Sequence, residues 1–415
     1  MKRIYHFLFP SSLFPLFFFL CSLLSAPCSF GVDYGALLKM EFDVDGADKT
    51  SASGNIIVAP WLSMPFNNAE LFVSAGLNTH IAPEQGSAGR SSADSYLALE
   101  VFRLEYSMRL SSLFSFRVGR FNWQDPSGLI AKGRFDGVDT LFDLGKIRLS
   151  VNALYTGFLF NDTADINVSP ADTTDYAAFK WDDYATYFAP RRLMASVYGE
   201  FPGFPVGRGH FYAGLTTQFD LSDSGEAYHT QYLLLRHTLA INAFDITAAG
   251  AAELSKTKAD GIKPAFALSL EGGWLTPTTI TDRLSLGLEW ASGNGPATAA
   301  FFPITREAKS FVLEPCLSGI MIIKANYKAR ILPSLSADAG CSYFIRTDST
   351  SFTAAHLEDK SYPLGLELDA GALWVPFSDL SFTFRGGVFL PKTGSAWADD
   401  APTLWRINFG TIFSF

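Results

Sequence analysis

The chain has 415 residues, of which 48% are apolar and 15% aromatic, and its formal net charge is −9. This composition is too apolar for a disordered chain, and the acidic balance argues against nucleic acid as a partner. After Gly31 no stretch of 18 apolar residues occurs, so the sequence predicts no transmembrane helix. The apolar residues form no helical stripes, and no linker separates the chain into domains.

The first segment, residues 1–29, is expected to be a secretory signal peptide. It begins with the basic Lys2 and continues into an apolar run at 13–24, which has the length of a signal-peptide core. Cleavage after Cys28 and cleavage after Gly31 both fit, and a lipid anchor on Cys28 is the alternative. Removal of this segment leaves 30 basic against 41 acidic residues, so the mature chain is more acidic still.

Residues 30–415 repeat one pattern, in which short segments of alternating apolar and polar residues are joined by short turns and by longer polar loops in turn. Gly, Pro, Asn and Asp content marks the turns. The short turns are predicted at 65–68, 111–112, 144–146, 202–205, 243–244, 276–282, 332–333 and 375–379. The longer loops include 45–54, 80–94, 122–136, 161–190, 293–309 and 391–402. This count predicts about eighteen strands, or sixteen if one hairpin is misread, with both termini on the periplasmic side.

The last strand, 403–415, carries the clearest alternation. Its apolar face consists of Trp405, Ile407, Phe409, Phe413 and Phe415. In a soluble sheet such a strand would be an exposed aromatic edge and an aggregation hazard. The stretch resembles the C-terminal signal of bacterial outer-membrane β-barrels. This resemblance implies outer-membrane lipid as the surroundings and the barrel-assembly machinery as a partner.

The alternation therefore predicts an all-β fold, a transmembrane antiparallel up-and-down β-barrel. A soluble barrel or sandwich would need its apolar face to fill the interior, and eighteen strands enclose a lumen too wide for side chains to fill. We expect the apolar face to meet lipid and the polar face to meet a water-filled lumen. Leu286, for example, should face lipid, while its neighbour Ser285 should face water.

Charged residues of both signs fall on the inward phase of the predicted strands. The predicted pore-lining residues are Lys39, Glu41, Arg103, Glu105, Arg148, Arg283, Glu289, Lys324, Lys328, Arg330, Glu367, Asp369, Arg385 and Arg406. On the lipid face an Arg or Lys would cost roughly 2–4 kcal/mol at mid-depth. The wall is either a solvated surface without selectivity or a set of charge rings that select solutes.

Two stretches are singled out within this pattern. Residues 116–139 read FRVGRFNWQDPSGLIAKGRFDGVD and resemble a stretch in substrate-type porin families, including alginate-export-like barrels. The resemblance implies a substrate site, and the other interpretation is a barrel corner held by salt bridges. The longest loop, 161–190, is rich in Asp. It either folds partly into the lumen, against the basic wall, and narrows the channel, or stays exposed as a binding surface.

The sequence carries no enzyme motif, no metal-ligand spacing and no sign of a cofactor. Cys316 and Cys341 are predicted to be free thiols, since their registers place them too far apart for a disulfide. The pattern favours a passive porin for small hydrophilic solutes in the outer membrane of a diderm bacterium. The alternatives are a fatty-acid-transporter-like channel for hydrophobic compounds and a structural or adhesive surface barrel. Homo-oligomerisation, the transported solute and the pore size are left open.

Overall fold

The structure is a computed structural model, and it describes most of the chain after residue 30. The described residues are 31–47, 49–81, 95–167, 183–204, 208–222, 228–257, 261–352, 354, 356–357, 362–392 and 396–415. The predicted signal peptide lies outside them. Within these ranges no helix is both long and apolar enough to cross a membrane.

The described residues form eighteen strands, a 3₁₀ turn (Asn161–Thr163) and a one-turn helix α1 (Tyr184–Tyr187). The strands are β1 (Asp33–Gly46), β2 (Thr50–Pro65), β3 (Ala69–Ile81), β4 (Tyr96–Arg109), β5 (Phe114–Gln124), β6 (Lys132–Asp143), β7 (Arg148–Tyr155), β8 (Arg192–Pro202), β9 (Gly209–Asp220), β10 (His229–Ile241), β11 (Phe244–Thr257), β12 (Gly261–Leu275), β13 (Thr281–Ala291), β14 (Ile320–Leu332), β15 (Leu335–Arg346), β16 (Pro363–Phe377), β17 (Leu380–Pro391) and β18 (Leu404–Ser414).

Every strand pairs antiparallel with its neighbours in sequence, and β1 pairs with β18, so the sheet is closed. The closing ladder runs from Leu37 opposite Ser414 to Gly46 opposite Trp405. The final residue takes part as well, because the backbone of Phe415 exchanges hydrogen bonds of 2.7 and 3.0 Å with that of Ala36. The prediction of an eighteen-stranded up-and-down barrel is confirmed, and the sixteen-stranded alternative is wrong.

In the predicted loop 122–136, β5 and β6 stay paired as far as Gln124 opposite Lys132. Two further features differ from the sequence prediction. The polar stretch 45–54 was predicted as a loop, but β1 and β2 stay paired as far as Gly46 opposite Thr50. The polar composition of this stretch is typical of a loop, but here the polar residues belong to the inward face of the hairpin. The second difference is Cys316, which lies in the segment before β14 rather than on that strand.

The outer surface is apolar, as the alternation requires. Leu286 at the centre of β13 is 62% exposed, whereas Ser285 beside it is only 6% exposed. Trp274, next to the last residue of β12, and Tyr327 on β14 are also exposed on this surface. A continuous apolar belt on a closed sheet is a surface for lipid. The prediction that Ser285 faces water is wrong, because its side chain is buried inside the barrel.

The inside of the barrel contains an apolar core. Phe121, Phe301, Ile304 and Phe344 are all at most 1% exposed and belong to one cluster of buried side chains. The first three come from the segments that join β5 to β6 and β13 to β14, together with the adjoining strand ends. Chain segments therefore enter the barrel and fill part of the lumen, and the alternation of the wall strands did not predict them.

Candidate functional site

The hairpin of β5 and β6 leaves the barrel wall halfway along its length. β4 pairs with β5 no further than Arg120, and β6 pairs with β7 no further than Asp136. Strands β5 and β6 nevertheless continue to pair with each other, as far as Gln124 opposite Lys132. Residues 121–135, which we call the inner hairpin, therefore turn away from both wall neighbours, and their aromatic side chains join the internal core.

Two opposed glycines mark the point where the inner hairpin leaves the wall. Gly119 has a φ of +115° and lies directly opposite Gly137. A Cβ atom on Gly119 would lie 2.0 Å from the carbonyl oxygen of Leu104, and one on Gly137 would lie 2.1 Å from that of Ala153. The neighbouring strands therefore approach too closely for any other residue, and Gly119 also adopts a backbone conformation that glycine tolerates best.

Arg120 fixes the hinge of the inner hairpin. Its guanidinium makes two hydrogen bonds to the carboxylate of Asp136, at 2.8 and 2.9 Å. It also donates to the carbonyl oxygens of Val101, at 2.9 Å, and Phe158, at 2.6 Å. Because β4 has lost its strand partner at this level, Arg120 satisfies a backbone carbonyl that the sheet leaves open.

The rest of the 116–139 stretch is also held by charge. Arg117 pairs with Asp139 at 2.7 Å, and Arg134 pairs with Glu100 at 2.6 Å. Asp125 is buried at the hairpin tip, where its carboxylate accepts backbone N–H groups at 2.8–3.1 Å. The contacts support the interpretation as a salt-bridged corner, and they place that corner inside the lumen.

The segment between β13 and β14, residues 292–319, crosses the barrel and is called the crossing loop below. At one point the backbone N–H of Phe302 donates to the carboxylate of Glu253 on β11, at 2.8 Å. Further along, three consecutive N–H groups, from Phe311 to Leu313, donate to the buried carboxylate of Glu367 on β16, at 2.8, 3.0 and 3.0 Å. β11 and β16 lie five strands apart in the eighteen-stranded ring, so this loop crosses part of the lumen.

The inner hairpin and the crossing loop meet in what we call the eyelet. The backbone N–H groups of Ile304 and Thr305 donate to the carbonyl oxygen of Ile130, at 2.7 and 3.2 Å. The backbone N–H of Lys132 donates to the hydroxyl of Thr305 at 2.8 Å, and its ammonium group pairs with Glu307 at 2.7 Å. These contacts bring together segments more than a hundred residues apart and narrow the passage between them.

Glu307 carries an ion-pair cluster at this contact. Lys309 lies 2.6 Å from its carboxylate and Lys132 lies 2.7 Å away. Burial alone would raise the pKa of Glu307, but the two lysines outweigh this effect and hold the pKa below its ordinary value of 4.5. The carboxylate is therefore ionised at neutral pH and stabilises the eyelet.

The first part of the long acidic loop also contacts the crossing loop. The backbone N–H of Arg306 donates to the carbonyl oxygen of Asp165 at 2.6 Å, and Asn167 donates to that of Ile304 at 2.9 Å. The middle of the loop, residues 168–182, lies outside the described residues. Two residues of the predicted basic wall, Arg385 and Arg406, contact the crossing loop, with their guanidinium groups 5.0 and 5.2 Å from the ring centre of Phe311.

Most of the predicted pore-lining charges are neutralised by a neighbour. The pairs are Lys39 with Glu41 (2.8 Å), Arg103 with Glu105 (2.8 Å), Arg148 with Asp143 and Glu200 (3.4 and 3.6 Å), Arg283 with Asp245 and Glu271 (2.6 and 2.8 Å), Glu289 with Lys324 (3.1 Å), Asp369 with Arg385 (2.5 Å), and Arg406 with Asp43 (2.9 Å) and Glu314. Arg330 donates to the carbonyl oxygen of Pro333, and Lys328 has no ion pair within the described ranges. Such a wall presents dipoles of paired charge rather than rings of one sign.

A chamber of about 510 Å³ lies between the inner hairpin and the wall strands β5–β9. Its lining includes Arg117, Asn122, Trp123, Gln124, Pro126, Lys132, Asp139, Leu141, Arg148, Ser150, Tyr198, Glu200 and Tyr212. The chamber exists because the hairpin has left the wall. Sequence reasoning missed it, although the aromatic residues on the inward phase of β5 and β6 were a visible cue.

The cysteine prediction is confirmed, since Cys316 and Cys341 are free. Burial raises the pKa of the Cys316 thiol, so the thiol stays protonated at neutral pH. Among the described residues no group of three His, Cys, Asp or Glu side chains is arranged to hold a metal ion.

No protein-family model and no curated protein sequence matches the chain. Solved structures do, with aligned regions covering 92% of this chain. The outer-membrane protein OpdK of Pseudomonas aeruginosa is 12% identical, with a TM-score of 0.59 over 99% of its chain. OccK9 (OpdG) and OccK2 (OpdF) in complex with glucuronate, from the same organism, are 14% and 13% identical, each with a TM-score of 0.59, over 99% and 98% of their chains. At these identities the likeness establishes the architecture, and the chain has the fold of a porin-like outer-membrane β-barrel.

Proposed function

We propose that the protein is a passive diffusion channel for small hydrophilic solutes in the outer membrane of a diderm bacterium. The observation that carries this proposal is the eyelet, in which the inner hairpin and the crossing loop meet inside an eighteen-stranded wall. A barrel with a merely structural role has no need of two inserted segments that bond to each other and to several separate strands of its wall. A channel that restricts solutes by size needs such a constriction.

The wall chemistry supports hydrophilic solutes. Charged and polar side chains line the inside, and a cavity of about 510 Å³ lies beside the eyelet. Because the charges are mostly paired, we infer selection by size and by local contacts, with weak discrimination between simple anions and cations. The similar structure of OccK2 holds glucuronate and one structure of OpdK holds vanillate, and we expect solutes of comparable size here.

We extend the proposal to the other parts of the chain. Residues 1–29 would direct export and be removed, leaving residues 30–415 as the barrel. The terminal strand, with Phe415 hydrogen-bonded to β1, would be the signal for the barrel-assembly machinery. The predicted lining residues that stay exposed to the lumen, such as Arg103 and Arg148, would contact solutes during passage, whereas Glu367 is buried beneath the crossing loop. Association with further copies in the membrane is compatible with the outer belt. No observation in the described part of the chain favours a carrier of hydrophobic compounds or an adhesive barrel.

Liposome swelling tests the proposal directly. Purified, refolded protein is placed in liposomes, and the swelling rate is recorded in isosmotic solutions of uncharged sugars from pentose to trisaccharide. We expect rapid swelling with the smallest sugar and a steep fall with increasing size, because the eyelet narrows the lumen. Swelling no faster than in protein-free liposomes, with protein shown to be folded by its heat-dependent gel mobility, would contradict the proposed function.

A further inference from the structure

The chamber beside the inner hairpin contains one ion pair unlike its neighbours. Arg148 lies 3.4 Å from Asp143 and 3.6 Å from Glu200, whereas charge-assisted N–H···O bonds are usually about 2.7–2.9 Å long. The guanidinium side chain is also 44% exposed. Arg148 is therefore held loosely, and it faces a space that a solute can enter.

The carboxylate of Glu200 is likewise held only by long contacts. Its carboxylate accepts from the hydroxyl of Tyr212 at 3.2 Å and lies 3.3 Å from a ring nitrogen of His210. Both contacts are long, and the side chain is 20% exposed. In the same chamber Arg117 and Asp139 are already joined at 2.7 Å, so this second pair is satisfied internally.

We propose that this chamber binds small zwitterions, with the solute carboxylate on Arg148 and its ammonium group on Glu200. The inference deepens the proposed function, because it assumes that solutes reach the lumen. A zwitterion inserted between the two side chains replaces the long Arg148–Glu200 contact with two short charge-assisted contacts, while Arg148 stays beside Asp143. A simple anion would add a third negative charge around Arg148 and make no contact with Glu200. A simple cation would pair with Glu200 and make no contact with Arg148.

The remaining lining suits a compact ligand. Trp123, Leu141 and Tyr198 supply apolar surface for a short carbon chain, and Gln124 and Ser150 supply polar groups. The volume of about 510 Å³ falls within the range of roughly 300–1,000 Å³ of small-molecule sites. A combination of apolar walls and one separated pair of opposite charges matches an amino-carboxylate better than an uncharged sugar.

The test uses three solutes with the same four-carbon chain: γ-aminobutyrate, butyrate and butylamine. Each is added to single channels in a planar bilayer, and its apparent dissociation constant is obtained from the blocking of the current. We expect γ-aminobutyrate to bind about tenfold more tightly than either singly charged solute, since it makes both charge-assisted contacts. Equal binding of γ-aminobutyrate and butyrate would overturn the proposal.

Two substitutions separate the two contacts. Glu200→Gln should weaken γ-aminobutyrate about fivefold while leaving butyrate unchanged or stronger, and Arg148→Gln should weaken both. Arg148→Lys keeps the positive charge and should retain part of the affinity. Retained binding in this variant would show that the loss in Arg148→Gln comes from the missing charge and not from misfolding. Glu70→Gln, on β3 and outside the chamber, should change neither. If the wild type conducts and Glu200→Gln binds γ-aminobutyrate as tightly as the wild type does, the zwitterion site is refuted and the proposed function is not. The absence of any conductance in the wild type would refute the proposed function.

Discussion

Replacement of Glu367 by Gln tests whether the crossing loop sets the size of the passage. The carboxylate of Glu367 is fully buried and accepts three backbone N–H groups of that loop. An amide keeps one acceptor oxygen, so the N–H of Leu313 would face an NH₂ group, and the other two bonds would lose the carboxylate charge. Hydrogen bonds to charged groups contribute about 1.5–3 kcal/mol and neutral ones about 0.5–1.5 kcal/mol.

The loss of one bond and the weakening of two others, offset in part by the smaller desolvation cost of an amide, give a net change of about 3 kcal/mol. This corresponds to roughly a hundredfold change in the ratio of anchored to released loop. Single-channel recording in planar bilayers should therefore show frequent steps to a higher conductance in Glu367→Gln and a steady lower level in the wild type. Heat-dependent gel mobility confirms that the variant is folded.

The matched control is Glu41→Gln, which removes an inward carboxylate whose ion pair is with Lys39 on the same strand. It should leave the conductance level and its fluctuations close to those of the wild type. Identical traces for Glu367→Gln and Glu41→Gln would show that the anchoring of the crossing loop does not govern the passage, and the argument from Glu367 would fail.

Three further predictions concern the wall, its closure and the effect of pH. Leu286→Arg should lower the folded yield, since an arginine on the lipid face costs roughly 2–4 kcal/mol at mid-depth. The control Asn326→Arg, on the inward face of the adjacent strand, should fold normally. Equal yields of the two variants would contradict the outward assignment of Leu286. Deletion of Phe415 removes two backbone hydrogen bonds that close the barrel and should reduce the heat-modifiable fraction in outer membranes, and an unchanged fraction would count against its role in assembly. The lowered pKa of Glu307 means that its stabilising ion pairs persist above its ordinary pKa of 4.5 and are lost as pH falls through the lowered value. Conductance should therefore rise in strong acid in the wild type and change less in Glu307→Gln, and parallel pH profiles would exclude this carboxylate as the cause.

The outer face of the barrel could be predicted because lipid imposes a strict rule on it. Every second residue of a wall strand must be apolar, so the contrast between Leu286 and Ser285 is visible in the sequence. The closing strand could be recognised for the same reason. Where a bulge breaks the alternation the rule fails. The period-two pattern of β16 assigns Leu364 to the lipid face together with Leu366 and Leu368, but a bulge beside Gly365, with a φ of +146°, turns Leu364 into the buried interior.

The eyelet could not be predicted from the same rule. Residues 122–136 are predicted as a loop, so the alternation of the wall strands does not reveal that β5 and β6 stay paired and bend away from the wall at Gly119. The signal that was present is chemical: Phe121, Trp123 and Phe135 are apolar on the face that should be polar. Long-range contacts such as Ile304 with Ile130 depend on two distant loops meeting, which local sequence does not specify.

The role of the eyelet is tested most directly by the single-channel conductance of a variant that lacks the central part of the crossing loop. In this variant residues 297–316 are replaced by a short Gly-Ser linker. If the eyelet sets the size limit, the variant should still fold and should conduct several times more current than the wild type. It should also admit sugars that the wild type excludes in liposome swelling. A folded variant with wild-type conductance and an unchanged size limit would contradict the claim that the eyelet determines what passes.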